Sequence, residues 1–127
     1  MFKSKQLYVQ VKPGEMIASV VPSGRRCERK CAALSHPRTL MGEFVEIEKT
    51  LTSLVQELSP KTWLSVAPVI TLHLLGNAEG GYTNVEVRAF REAALGAGAR
   101  AVFMPSGPTP LSESAVLQKQ YSELVGV

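Results

Sequence analysis

The stretch Thr83–Met104, TNVEVRAFREAALGAGARAVFM, decides the predicted fold. Thr83 stands three residues before Glu86, which is the spacing of a capping box at the start of a helix. Gly96 and Gly98 follow where a helix commonly ends in a left-handed residue. The stretch therefore predicts a helix with a capped start and a glycine stop, followed by a short apolar strand.

The predicted helix has one small apolar face and charged residues on its other faces. The apolar residues recur at helical spacing and are Val87, Phe90, Ala94 and Ala97. Because alanine side chains are small, the helix can lie close to a sheet, and Ala101–Met104 supplies the strand that follows it. A helix and strand in this order predict an αβ unit of a layered α/β domain.

The residues near the start of the chain predict three strands. Leu7–Val11 and Met16–Val21 flank Lys12-Pro13-Gly14-Glu15, where adjacent Pro and Gly suit the centre of a type II turn. These two strands therefore predict a hairpin. Cys27–Leu34 predicts a third strand after a second turn.

A helix and a strand are predicted between these strands and the αβ unit. An apolar stripe predicts a helix that begins at Gly42 or Glu43 and ends at Leu58, before Ser59-Pro60. Val69–Leu75 predicts a central strand that is apolar on both faces, as expected under two layers of helix.

A last helix completes the predicted order. It is expected to start at Thr109 and Pro110 and to carry on one side Val116 or Leu117, Tyr121, Leu124 and Val125. The predicted order is β-β-β-α-β-α-β-α, and residues 1–127 are predicted to form a single α/β domain with a mixed sheet.

The composition favours a globular protein that does not cross a membrane. Apolar residues make up 45% of the chain, which argues against disorder. The longest apolar run, Val66–Leu75, is far shorter than the roughly 20 residues that span a bilayer. Met1–Val11 lacks the long apolar core of a secretory signal, so a cytoplasmic location is predicted.

Charge and cysteine spacing argue against two kinds of site. The net charge is +3, and the dense basic cluster of Arg25, Arg26, Arg29 and Lys30 could meet nucleic acid or anionic lipid. It is interpreted instead as a solvated strand edge that its charge protects from aggregation, and the lack of interleaved aromatic residues argues against a nucleic-acid surface. Cys27 and Cys31 would stand about 13 Å apart on one strand, too far for a disulfide. They are predicted to be buried free thiols, with no metal bound, and His73 is predicted to be a core histidine.

The second half of the chain carries residues of a known family. The helix shows E-x-R-A-x-R-x-A and the strand after it G-A-x-x-V-F, in Glu86, Arg88, Ala89, Arg91, Ala93, Gly98, Ala99, Val102 and Phe103. These residues, with His36-Pro37-Arg38 and the segment from Glu43-Phe44 to Glu48-Lys49, resemble the first subdomain of the bacterial actin homologue MreB. The resemblance implies one half of the actin fold, a ribonuclease-H-like unit with a mixed five-stranded sheet and helices on both faces.

The resemblance also implies where a nucleotide would bind, and the chain departs from the family there. Actin-like ATPases grip phosphates with an Asp-x-Gly turn after the first strand of each half. Here Gln10 replaces the Asp and Lys12 replaces the Gly, before Gly14, and Pro13 lacks a backbone N–H. The turn is therefore predicted to bind no nucleotide.

A second departure follows the last strand. MreB relatives have Glu-Glu-Pro at this point, whereas this chain has Pro105-Ser106-Gly107-Pro108, without a carboxylate. No second half follows to close over a nucleotide. The chain is therefore predicted to be no enzyme, with no catalytic residues and no cofactor.

Two segments are candidates for binding a membrane or a partner. Trp63 and Leu64 lie in a predicted loop, and in MreB the corresponding loop inserts apolar residues into the inner face of the membrane. Trp is suited to the lipid–water interface, although folding back onto the core is an equal alternative for Trp63. Phe2 and Lys3 are similar to the amphipathic start of some MreB proteins.

The function expected from the resemblance is that of a cytoskeletal scaffold concerned with cell shape, which binds itself or a full-length actin homologue. One alternative is a peripheral adaptor on the inner membrane that uses Trp63, Leu64 and the N-terminal segment. Another is a small-ligand-binding or enzymatic domain, with a cleft near Lys12 and Ser106 at the carboxyl ends of the sheet.

Overall fold

The computed structural model describes residues 4–22, 24–36, 39–63, 65–76 and 81–126. Five strands form one sheet in the order β3-β2-β1-β4-β5. They are β1 (Gln6–Lys12), β2 (Glu15–Val21), β3 (Arg26–Lys30), β4 (Val69–Leu74) and β5 (Ala101–Phe103). The helices are α1 (Phe44–Leu58), α2 (Asn84–Gly96) and the short α3 (Glu113–Leu117). The prediction of an α/β fold with a mixed five-stranded sheet is therefore confirmed.

The central strand β1 sets the mixed character of the sheet. It pairs antiparallel with β2 and parallel with β4, and β5 continues the parallel part. The hairpin between β1 and β2 turns at Pro13-Gly14, where Gly14 has φ +78°, as position i+2 of a type II turn requires. Because Lys12 pairs with Glu15, the turn contains two residues and fixes the register of the hairpin.

Helices α1 and α2 cover one face of the sheet with a continuous core. Side chains alternate along β1, so that Leu7, Val9 and Val11 all face this core. The predicted stripe of α1 is confirmed, since Ile47, Leu51, Leu54, Val55 and Leu58 are buried. At the start of α2 the capping box of Thr83 and Glu86 is present, and Gly98 takes the left-handed conformation with φ +113°.

The opposite face of the sheet differs from the prediction for β4. The strand was expected to be apolar on both faces, but its second face carries the buried polar residues Thr71 and His73. A small separate cluster covers part of this face, where Val116 of α3 packs with Tyr8 and Val21. Among the described residues, α3 with its five residues is the helix that packs on this side, and loop backbone covers other parts of the face and supplies partners for polar side chains.

The third strand is shorter than predicted. It ends at Lys30, and Ala32–Ser35 forms a 3₁₀ helix where Cys27–Leu34 was expected to stay extended. The reason is that Lys30 pairs with Glu15, the first residue of β2, so no strand remains for the next residues to pair with. Instead Gly14 N–H donates to Leu34 O at 3.2 Å, which holds the 3₁₀ helix against the hairpin turn.

The last helix is also shorter than predicted. It ends at Leu117, and Lys119 has φ +53°, so Tyr121, Leu124 and Val125 do not lie on a helix. The backbone beyond β5 offers these residues other partners. Leu124 N–H donates to Met104 O at 2.7 Å, and Ser106 N–H donates to Ser122 O at 2.8 Å. These bonds replace the helical bonds that a longer α3 would have made.

We expect Thr83→Ala to lower the free energy of unfolding by about 1 kcal/mol, because the Thr83 hydroxyl accepts the Glu86 N–H at the start of α2. Thr83→Ser keeps the hydroxyl and is the matched control. Urea denaturation followed by circular dichroism measures both. Equal stability of the two variants would contradict the role of the cap.

Candidate functional site

The amino ends of the three parallel strands form an edge of the sheet with one prominent aromatic side chain. Trp63 is 92% exposed on the loop between α1 and β4. Four exposed basic residues lie at the same edge, either in this loop or directly before a strand that starts there: Lys5, Arg25, Lys61 and Arg100. We call these five residues the Trp63 edge. Trp63 therefore does not fold back onto the core, which was the alternative that the sequence left open.

A tight turn presents Trp63 to solvent. Thr62 N–H donates to Ser65 Oγ at 2.9 Å, and the Ser65 hydroxyl donates to Thr62 O at 2.8 Å. These bonds close the loop on either side of Trp63, so the indole projects from a defined backbone. Leu64, Phe2 and Lys3, which the sequence offered as further contacts, lie outside the described residues.

Three of the four basic residues of the Trp63 edge are held by hydrogen bonds. Lys5 Nζ donates to Leu58 O at 3.0 Å and Arg25 donates to Glu57 O at 3.3 Å, so both satisfy carbonyls at the C-terminus of α1. The negative end of the helix dipole favours cations there. Arg100 donates to Ser4 Oγ at 2.9 Å. The Arg25 guanidinium also lies 3.3 Å from the Glu57 carboxylate, which offsets its charge, so the positive charge that this edge presents comes chiefly from Lys5, Lys61 and Arg100.

A cavity of about 330 Å³ opens beside the Trp63 loop. Its walls come from the last turns of α1, the loop 61–68 and the end of α2, and they include Thr52, Gln56, Lys61, Ala67, Gly96 and Gly98. A Cβ atom built on Gly98 would meet no atom within 4 Å, so this part of the wall is open. No motif of the sequence predicts this cavity, although Gly96-Ala97-Gly98 at the end of a helix indicates a place with little side-chain volume.

The predicted basic cluster lies at β3, which is an outermost strand of the sheet and therefore an edge strand. Arg29 is its central residue, since Nη2 binds the Glu57 carboxylate, Nε donates to Ser53 Oγ at 3.1 Å and Nη1 donates to Glu28 O at 2.9 Å. The guanidinium also holds the pKa of the Glu57 carboxyl below its usual value. Arg29 therefore ties β3 to α1 and occupies a backbone acceptor of the edge strand, which favours the interpretation as a protected edge.

Replacing Arg29 should expose this edge. We expect Arg29→Ala to aggregate faster than the wild type in light-scattering measurements, because Glu28 O then becomes available to another chain. Arg26→Ala is the matched control, since Arg26 is on the same strand and contacts the Glu28 side chain instead. Equal aggregation of both variants would mean that net charge, not the blocked carbonyl, protects the edge.

The second face of the sheet holds a buried polar network around His73. Its Nδ1 lies 2.7 Å from the Tyr8 hydroxyl and its Nε2 lies 2.9 Å from Gly107 O. Since a carbonyl accepts only, the neutral ring carries its proton on Nε2, and Tyr8 must donate to Nδ1. The Tyr8 oxygen in turn accepts Leu111 N–H at 2.9 Å. The prediction of a core histidine with satisfied hydrogen bonds is confirmed.

This network is a structural element with a pH dependence, because it holds the segment 107–111 against the sheet. Burial lowers the pKa of His73, and the Gly107 carbonyl opposes this shift only in part. The folded chain thus binds the proton at lower pH than the unfolded chain, whose histidine has a pKa of about 6.5. Below that pH the unfolded state takes up a proton that the folded state does not, so the free energy of unfolding decreases as the pH is lowered. Above that pH this group does not change the free energy of unfolding.

We therefore expect the free energy of unfolding to fall between pH 7 and pH 5.5, by at most about 1.4 kcal/mol per pH unit from His73. Urea denaturation at several pH values measures the slope. His73→Phe should flatten it, whereas His36→Gln should leave the His73 contribution in place. A slope that is the same in the wild type and His73→Phe would overturn the assignment.

At the opposite, carboxyl edge, the residues proposed for a cleft are spread over two strands. Lys12 ends β1 and Ser106 follows β5, and β4 lies between them, which separates the two strands by about 10 Å. Ser106 donates both its N–H and its hydroxyl to Ser122 O. In the turn that follows Gln10, the Gly14 N–H donates to Leu34 O. These donors are engaged within the chain.

The two cysteines lie in the interior of the protein. Cys27 and Cys31 are free thiols and both are buried, as the sequence predicted. Burial raises the pKa of Cys27, and the Glu57 carboxylate adds to that shift, so the thiol form is favoured. Within the described residues, no group of three or more His, Cys, Asp or Glu side chains is placed to hold a metal ion.

The length and hydropathy of the helices decide whether any of them could span a membrane. In the part of the chain that the structure describes, no helix has the length and apolar character to cross a membrane.

A comparison with known proteins shows a relative that matches most of the chain. The uncharacterized protein YjaA of Escherichia coli (strain K12) is 32% identical over 119 residues, which cover 87% of this chain and 93% of that protein. The chain belongs to the YjaA family. No protein-family model matches the chain. The resemblance to MreB therefore rests on the residues quoted for it and stays a prediction.

Proposed function

We propose that this member of the YjaA family is a non-enzymatic binding module that attaches to an anionic membrane surface through the Trp63 edge. The observation that carries the proposal is the 92% exposure of Trp63 at the edge of the sheet where Lys5, Lys61 and Arg100 are also exposed. Trp is highly buried on average in folded proteins, so an indole that lies almost wholly in water is unusual. Trp prefers the interface between lipid and water, where its apolar rings and its N–H group are both accommodated.

The energies of the two contributions are of similar size. Burying roughly 100 Å² of the indole yields about 2.5 kcal/mol at about 25 cal/mol per Å². Each Lys or Arg close to an anionic leaflet adds about 1 kcal/mol at moderate ionic strength. Neither alone gives a stable anchor, but one apolar and one electrostatic signal together do. The Trp63 edge supplies both on one side of the molecule.

A second candidate function is the cytoskeletal scaffold implied by the resemblance to MreB. The element order and the mixed five-stranded sheet support it, since they are those expected for an actin-like, ribonuclease-H-like half. The partner would be a second copy or a full-length actin homologue, and the chain would contribute to cell shape. Sheet extension through β3 is a poor route for such contacts because Arg29 blocks its edge.

The third reading, a ligand-binding or enzymatic cleft near Lys12 and Ser106, gains no support from the hydrogen bonds at that edge. The donors of Gly14 and Ser106 are bound within the chain, so a phosphate there would have to displace them. This agrees with the proposal that the chain binds no nucleotide and is no ATPase. Magnesium-dependent ATP binding in calorimetry would contradict it.

Vesicle co-sedimentation tests the membrane proposal directly. We expect the protein to pellet with vesicles that contain phosphatidylglycerol and to stay in solution without them. Trp63→Ser should weaken binding at least tenfold, because it removes the apolar contribution. Raising the salt concentration should weaken the wild type as well, since exposed charges are screened.

Val85→Ser is the matched control for Trp63→Ser. Val85 is 76% exposed at the start of α2, at the opposite edge of the sheet, so its replacement removes an exposed apolar side chain without touching the Trp63 edge. Equal binding of Trp63→Ser and the wild type would sink the proposal. Pelleting of the wild type without vesicles would instead favour self-assembly and the scaffold function.

A further inference from the structure

We propose that the cavity beside Trp63 is a head-group site for a zwitterionic aminophospholipid, with the ammonium inside and the phosphate at the rim. This inference rests on the proposed attachment to membranes and adds a lipid specificity to it. The cavity has about 330 Å³ and shares the loop 61–65 with Trp63, whose neighbours Thr62 and Ser65 line it. A membrane that receives the indole therefore brings its head groups to the mouth of this cavity.

The lining of the cavity includes residues from the ends of two helices, where backbone carbonyls lose their helical partners. Gln56 O would accept from residue 60 in a continuing helix, but Pro60 has no N–H. Gly96 O would accept from Arg100 N–H, which instead donates to Pro68 O at 2.9 Å. Both residues line the cavity. Their carbonyls thus lack the helical partner, and helix C-termini carry partial negative charge.

These acceptors select for a group that donates several hydrogen bonds and carries positive charge. A primary ammonium has three N–H donors, whereas the trimethylammonium of a choline head group has none. The Thr52 hydroxyl donates to Glu48 O at 2.8 Å, so it too has its oxygen left to accept. A divalent metal ion is a poor fit, because the described lining residues include no carboxylate.

The rim of the cavity supplies the opposite charge. Lys61 lines it, and Lys5 and Arg100 lie at the same edge of the sheet. Lysine binds phosphate as a point charge. A head group that carries an ammonium next to a phosphate therefore fits the cavity, with the ammonium at the helix-end carbonyls and the phosphate at Lys61. Gly98 leaves the wall open, since a Cβ atom there would meet no neighbour within 4 Å.

The test holds the membrane charge constant and changes the ammonium. Vesicles carry a fixed fraction of phosphatidylglycerol, and the remainder is either phosphatidylcholine or phosphatidylethanolamine. We expect the wild type to bind the ethanolamine vesicles at least threefold more tightly. Ala67→Gln, which fills the cavity from its wall, should lose this preference and keep the binding that depends on phosphatidylglycerol.

Ala32→Gln is the matched control, since Ala32 is also an exposed alanine but lies in the 3₁₀ helix away from the cavity. It should keep the ethanolamine preference. Equal binding of the wild type to both vesicles, or an equal preference in Ala67→Gln and Ala32→Gln, would overturn the head-group site while leaving the proposed membrane attachment intact.

A soluble probe separates this inference from the proposed function. O-phosphoethanolamine is titrated into the protein while NMR follows the amide signals of Gly96 and Gly98, with inorganic phosphate and ethanolamine as separate titrants. Saturable shifts with phosphoethanolamine that are absent in Ala67→Gln support the site even if vesicle attachment fails. Shifts with phosphate alone would assign the cavity to free phosphate, and no shifts with any titrant would reject it.

Discussion

The pairing of β1 with β4 is the constraint on which the rest of the structure depends. Its register places Leu7 beside Ile70 and Val9 beside Leu72, so that both strands give their apolar side chains to the core under α1 and α2. The same register places Tyr8 and His73 on the other face, close enough to bond. A slip of one residue would turn each apolar side chain away from the helices. One register therefore decides both the core and the polar network behind it.

The elements that sequence reasoning placed correctly are those with a strong local signal. Helix α2 combines a capping box, an apolar face and a glycine stop, and its neighbours only reinforce these preferences. Two elements, the third strand and the last helix, are shorter than predicted, and both differences have tertiary causes. The third strand stops because its partner strand starts at Glu15. The last helix stops because residues 122–124 bond to the backbone after β5, and no periodicity in the sequence records that competition.

The candidate site was accessible from the sequence only in part. The sequence shows a lone Trp in a loop between a helix and a strand, and it leaves open whether Trp63 contacts a membrane or partner or folds back onto the core. The exposure of Trp63 in the structure rules out the second of these. The basic residues at the same edge were not recognised, because Lys5, Arg25, Lys61 and Arg100 are scattered along the chain and reach one edge only when β1, β3, β4 and β5 start on the same side of the sheet. The cavity depends on two helix ends and a glycine conformation, which belong to the fold and not to a motif.

The contacts of the segment 105–126 also make the second face of the sheet depend on residues that follow its last strand. The ring of His73 and the hydroxyl of Tyr8 find their backbone partners at Gly107 and Leu111, which come after β5 along the chain. Val116, from the same segment, packs against Tyr8 and Val21. A chain truncated after Phe103 would keep the face covered by α1 and α2 and would leave the polar groups of the other face in water, so the segment beyond β5 is the cover of that face.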